Sequence, residues 1–107
     1  MKRGEIWTVR GSSGWIEKAR PALIVQDESF DDIDSTVTCL FTTYDSSNAN
    51  SRVRVEPSSA NGLRRACYVM TDKIVSVKKD EFGSLVGQLE QHYLEEVSQH
   101  LRRLLGL

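Results

Sequence analysis

Leu85-Val86-Gly87-Gln88-Leu89 and the stretch behind it decide the fold, because the hydrophobic period changes between them. Residues 85–89 read as a short strand. Then Leu94, Val97, Leu101 and Leu104 recur at three- and four-residue steps, the pattern of one amphipathic helix. Arg102 and Arg103 fall in its last turn and Gly106 follows, both ordinary helix-ending signals. Upstream the chain reads as strands and turns. Glu5-Ile6-Trp7-Thr8-Val9 alternates as a half-buried strand does, and Pro21-Ala22-Leu23-Ile24-Val25 is an apolar run whose proline suits a first strand position. Thr36 to Thr43 is β-branched and apolar, and Val53-Arg54-Val55-Glu56 alternates before Pro57 stops it. Ala66 to Val77 is a long strand pattern in which Asp72-Lys73 predicts a bend. Gly11-Ser12-Ser13-Gly14, the acidic stretch from Asp27 to Ser35, the polar run from Asp45 to Ser51, and Asn61-Gly62 read as loops or turns. Short strands followed by one terminal helix describe a mainly β protein, a small antiparallel barrel with a helix packed on it.

With 107 residues the chain reads as one domain, 1–107, able to bury a core without staples. No run approaches the ~20 apolar residues of a membrane span, and Met1-Lys2-Arg3 leads straight into a strand pattern rather than an apolar signal core. Cys39 and Cys67 stand far apart, each inside an apolar run, which fits reduced core thiols in a cytoplasmic protein. No cluster of His, Cys, Asp or Glu has metal-ligand spacing, so neither a metal nor a cofactor is expected. Net charge is −1, which does not advertise a nucleic-acid binder. The charge is unevenly distributed, however. Arg52, Arg54, Arg64 and Arg65 crowd one stretch against Glu56 alone, while Asp27, Glu28, Asp31, Asp32 and Asp34 crowd another. A local basic surface binds phosphates even when the whole chain is nearly neutral.

Several pieces, in order, resemble the MazF/PemK toxin family. They are Lys2-Arg3-Gly4-Glu5-Ile6-Trp7, then Lys18-Ala19-Arg20-Pro21-Ala22-Leu23-Ile24-Val25, then Leu40-Phe41-Thr42-Thr43. Asn61-Gly62-Leu63, Tyr68-Val69-Met70-Thr71-Asp72-Lys73-Ile74 and Leu85-Val86-Gly87-Gln88-Leu89 follow, before a helix ending Arg103-Leu104-Leu105-Gly106-Leu107. The resemblance implies an SH3-like barrel, a homodimer, and a toxin of a type II toxin–antitoxin system that cuts single-stranded RNA at chosen sequences. It implies a cognate antitoxin as partner. It also implies that Arg20 and Thr42 carry the catalysis. Two positions depart from the family pattern. The loop before Arg20 carries Gly14-Trp15-Ile16-Glu17 where a Gly-Ser-Glu element is usual, and Lys73 stands where Gln is common. Both departures bear on which RNA sequence is gripped rather than on the reaction.

The residues themselves support that chemistry unevenly. RNA brings its own nucleophile, the 2′-hydroxyl, so an enzyme must activate it, stabilise charge on phosphorus and protonate the leaving oxygen. Histidine pairs usually do this. Here His92 and His100 share one helix more than two turns apart and cannot easily act together. Arg20 offers a planar, permanently charged fork that suits two phosphate oxygens, but its high proton affinity makes it awkward as a general acid or base. Thr42 can donate a hydroxyl to the same oxygens. Taken alone, Arg20 better fits a surface ion pair and Thr42 an ordinary strand residue. Trp15, beside Lys18, either stacks on an unpaired base or lids the barrel end. Thr43, Arg52 and Lys73 are further candidate RNA contacts in the groove that the resemblance implies, while Trp7, Phe41 and Tyr68 fit the core. The competing reading is a CcdB-like toxin that poisons DNA gyrase through a Trp-bearing helix tip, which this chain lacks. A non-catalytic barrel that pairs with another protein is a third.

Overall fold

A computed structural model describes residues 1–10, 19–44 and 51–107. Its strands are β1 (Glu5–Val9), β2 (Arg20–Ile24), β3 (Ser35–Thr42), β4 (Arg52–Val55), β5 (Cys67–Lys78) and β6 (Phe82–Gln88), followed by the helix α1 (Gln91–Leu105). They form one six-stranded sheet in the order β4-β5-β3-β2-β1-β6, and every neighbouring pair is antiparallel. The expected mainly β protein with a terminal helix is what the chain forms.

The bend expected at Asp72-Lys73 curls this sheet. Cys39 pairs with Ile74, but two residues further along β3 Phe41 pairs with Val69, so Met70 to Lys73 form a bulge on β5. Extra residues on one strand bend it and increase its twist. The first part of β5 thereby pairs with β4 as well as with the end of β3, and the second part with β3 alone. At the far side the two edges meet, where the Gln88 N–H at the end of β6 donates to Ala60 C=O beyond β4 at 2.9 Å. That contact gives the sheet its barrel-like closure. β6 begins at Phe82, earlier than the apolar run at 85–89 suggests, because Gly83 and Ser84 carry no hydrophobic signal although Val9 pairs with Phe82.

Alternation along the strands sends residues to two faces, and each has its own buried cluster. Ile6, Leu23, Cys39, Phe41, Val53, Val55, Cys67 and Val69 meet Leu94 and Val97 of α1 in the larger core. On the opposite face Val9, Ala22, Leu40 and Val77 form a smaller cluster. Leu101 packs at the rim of the larger core as its helical spacing implies, but Leu104 is exposed. Arg3 ties helix to sheet, with Nη1 donating to Val25 C=O at 2.6 Å and Nη2 bonded to Ser98 Oγ. Cys39 and Cys67 are buried free thiols, and burial above all pushes Cys39 up to about 12.

Asn61-Gly62 is more than a turn. Asn61 is fully buried, and Gly62 has a φ of +70°, so a Cβ there would be strained and would lie 2.1 Å from the Val86 carbonyl oxygen. A Cβ on Gly87 would lie 2.4 Å from the Asn61 carbonyl. Two of the short motifs singled out in the sequence are thus halves of one interlock.

Candidate nucleic-acid interface

Strand register builds the site. Ala22 pairs with Leu40, Leu23 with Cys39 and Ile24 with Thr38. Carrying that count to the strand ends sets Arg20, the first residue of β2, across from Thr42, the last of β3. Arg20 is also paired with Val9, Thr42 with Tyr68, and Tyr68 with Arg54. A single row therefore crosses five strands, and directly opposed residues share a face. Val9 belongs to the smaller core, and Arg54 alternates with Val53 and Val55 of the larger one. The row accordingly lies on the face turned away from α1.

Arg20 is exposed and makes no ion pair with any described residue. Thr42 is half-buried, and its Oγ1 accepts from the Tyr44 N–H at 3.1 Å, an arrangement that leaves the hydroxyl proton for another acceptor. The surface-ion-pair alternative for Arg20 has no described partner to support it. Thr43 is exposed just beyond the end of β3. Arg52 heads β4 on the same face, paired with Met70, but its Nη1 is bonded to Asp72 Oδ1 and its side chain is only 12% exposed. Its guanidinium is braced rather than free. Lys73 is exposed in the bulge of β5. Trp15 and Lys18 lie outside the described residues.

Two members of the row went unassigned or misassigned from sequence. Tyr68 fits the core by its strand position, yet it is half-buried on the outer face and belongs to neither core cluster. Its flanking residues Cys67 and Val69 take the core positions, and register alone would have turned it outward. Arg54 donates from Nη1 to the Tyr68 hydroxyl at 2.7 Å and from Nε to Glu56 at 2.8 Å. Those bonds, Glu56 first and Tyr68 second, hold the guanidinium above its ordinary proton affinity. Trp7 is half-buried, its Nε1 donating to Glu5 at 3.0 Å, and meets Phe82 edge-on.

His92 and His100 lie on α1, which covers the other side of the sheet, so neither joins the row. Also on the helix side is an apolar hollow of about 620 Å³, lined by Val25, Phe30, Ile33, Ile74, Leu101 and Leu105 among others. Among the described residues no three His, Cys, Asp or Glu side chains gather closely enough to hold a metal ion, and no helix is long and apolar enough to cross a membrane.

A curled antiparallel sheet backed by one helix, with arginines, a threonine and a tyrosine across its free face, defines a small β protein equipped to hold an anionic ligand. Residues 2–105 match the family described as PemK-like, MazF-like toxin of type II toxin-antitoxin system, and the chain belongs to that family. A relative, the probable endoribonuclease MazF of Mycolicibacterium smegmatis, is 34% identical over 107 residues, covering 100% of this chain and 98% of the relative. An endoribonuclease from Mycobacterial species, solved in complex with its cognate antitoxin, aligns with a TM-score of 0.83 at 25% identity over 100% of this chain and 96% of that one. MazF of Deinococcus radiodurans shares the fold, with a TM-score of 0.80 at 18% identity over 100% of this chain and 97% of that one. These likenesses favour a nuclease toxin over the CcdB-like reading.

Proposed function

We propose that this toxin is an endoribonuclease that cuts single-stranded RNA at chosen sequences without a metal ion, and that Arg20 and Thr42 form its catalytic pair. The observation that carries the proposal is the register that sets an exposed arginine, with no ion-pair partner among the described residues, across from a threonine with a proton to donate. In the reaction, the RNA 2′-hydroxyl attacks the adjacent phosphorus as its proton is withdrawn. The bond from phosphorus to the 5′-oxygen breaks, that oxygen takes a proton, and the products are a 2′,3′-cyclic phosphate and a 5′-hydroxyl end. Arg20 clamps the non-bridging oxygens, where charge accumulates, and Thr42 donates to one of them. Arg20 is assigned to charge stabilisation, because a guanidinium is a poor proton-transfer group.

Trp15, Lys18, Thr43, Arg52 and Lys73 complete the RNA-binding set, with Arg52 acting from its brace on Asp72. The toxin works as a cytoplasmic homodimer of one-domain chains, restrained by a cognate antitoxin and without association with a membrane. The antitoxin complex of the mycobacterial structure supports that partner.

The test is a panel of single-stranded RNAs incubated with the protein in EDTA, with fragment ends mapped. Discrete cuts ending in cyclic phosphate and 5′-hydroxyl are expected, and a 2′-deoxy nucleotide at the cut should abolish them. Cutting that continues at full rate on the deoxy substrate would refute the 2′-hydroxyl mechanism.

A further inference from the structure

Two strands beyond Arg20, the same row carries a pair that the chemistry of bond breaking leaves unused. Tyr68 stands opposite Thr42 on β5, and Arg54 stands opposite Tyr68 on β4. Adjacent strands lie ~4.8 Å apart, so the tyrosine sits one strand from the catalytic threonine. Its ring packs in neither core cluster, although the residues on both sides of it do. A tyrosine kept for packing would be expected among those apolar neighbours. Instead the hydroxyl is held by Arg54 at 2.7 Å, and Arg54 is held in turn by Glu56 at 2.8 Å. The arginine carbon lies over the ring, 5.7 Å from its centroid, while Nη1 grips the hydroxyl.

An exposed ion pair such as Arg54–Glu56 contributes little to stability. Its effect here is positional. It fixes a half-buried aromatic ring beside the place where the scissile phosphate would sit. Unpaired bases stack on such rings, and stacking tolerates any base because each has a π-face. We propose that Tyr68 is the stacking platform for a base flanking the cut, and that Arg54 is its positioning residue. The proposal rests on the nuclease reading above and deepens it, by naming where the substrate is held rather than where it is broken.

The experiment measures binding of an RNA made uncleavable by a 2′-deoxy nucleotide at the cut, alongside cleavage of the ordinary RNA. Wild type, Tyr68→Leu, Tyr68→Phe and Arg54→Gln are compared, each checked for an unchanged melting temperature. Tyr68→Leu should weaken binding roughly 5- to 100-fold, as loss of one stacked base does. In cleavage the loss should fall on KM rather than kcat. Tyr68→Phe and Arg54→Gln, which keep the ring but release its tether, should show smaller losses. An RNA lacking the base on one side of the cut should bind wild type correspondingly weakly, and Tyr68→Leu should weaken it no further. The abasic comparison on wild type alone decides the matter if a variant misfolds. Equal binding of intact and abasic RNA, at both flanking positions, would overturn the proposal. If wild type still cuts RNA in that case, the nuclease reading stands and only the stacking assignment falls. A wild type that cuts no RNA overturns both.

Discussion

Asn61 and Arg20 are both polar residues placed beside a strand end by a short motif, yet their surroundings are opposite. Asn61 is fully buried, and each of its side-chain atoms is used. Its Oδ1 accepts from the N–H groups of Ser58 and Leu63, both at 3.0 Å, while its Nδ2 donates to Glu56 C=O at 2.9 Å and to Glu90 Oε1 at 3.0 Å. Ser58 Oγ closes the ring by donating to Glu90 Oε2 at 2.8 Å. A buried network satisfied this completely holds structure together and has no donor left for a ligand. Arg20 is exposed and has no described ion-pair partner, on the face away from the helix. In this chain two motifs of similar strength in sequence therefore sit in different settings. One locks the barrel's closure, and the other, in the function proposed above, meets the substrate.

Gly62→Ala should break the structural half most severely. The added Cβ meets a backbone carbonyl and demands a left-handed conformation, so a loss on the order of 2–6 kcal/mol is expected from strain and overpacking combined. Chemical denaturation would read it, and the fraction that remains folded should cut RNA at the normal rate per molecule. A stable Gly62→Ala protein would mean that the interlock does not carry the closure.

Glu90→Gln sharpens the comparison with a smaller effect of about 1 kcal/mol, discounted because Glu90 is only half-buried. Burial pushes the Glu90 carboxyl up, but hydrogen bonds from Ser58, its own backbone and Asn61, with His92 nearby, together hold it below the ordinary glutamate range. A carboxyl lowered on folding contributes stability above its unfolded value, and loses it as pH falls through the folded one. The melting-temperature gap between wild type and Glu90→Gln should therefore be largest near about pH 7 and shrink toward about pH 3. A gap that widens on acidification would contradict that wiring.

Much of this was legible in the sequence, for reasons the structure makes concrete. The strands were readable because alternation and β-branched runs mark half-buried surfaces, and Asp72-Lys73 marked the bend because two charged residues interrupt an apolar strand at its bulge. Arg20 and Thr42 were singled out by resemblance, and their juxtaposition follows once Ala22 is paired with Leu40. Tyr68 was misplaced, because an aromatic residue in an apolar run has the composition of a core residue whichever face it takes. Register decides the face, and register is set by pairing across the sheet rather than by local pattern. The buried role of Asn61 was hidden for a related reason. One of its partners, Glu90, lies 29 residues further along the chain, and nothing local announces that contact.

The most direct test of the account compares RNA cleavage by Arg20→Ala with that by Arg102→Ala, an exposed arginine on the helix side, under identical single-turnover conditions in EDTA. Arg20→Ala should lose on the order of 100- to 1,000-fold in rate with its melting temperature unchanged, while Arg102→Ala stays within about twofold of wild type. The opposite pattern, with cleavage surviving the loss of Arg20 and failing with the loss of Arg102, would place the active face on the helix side and contradict the account.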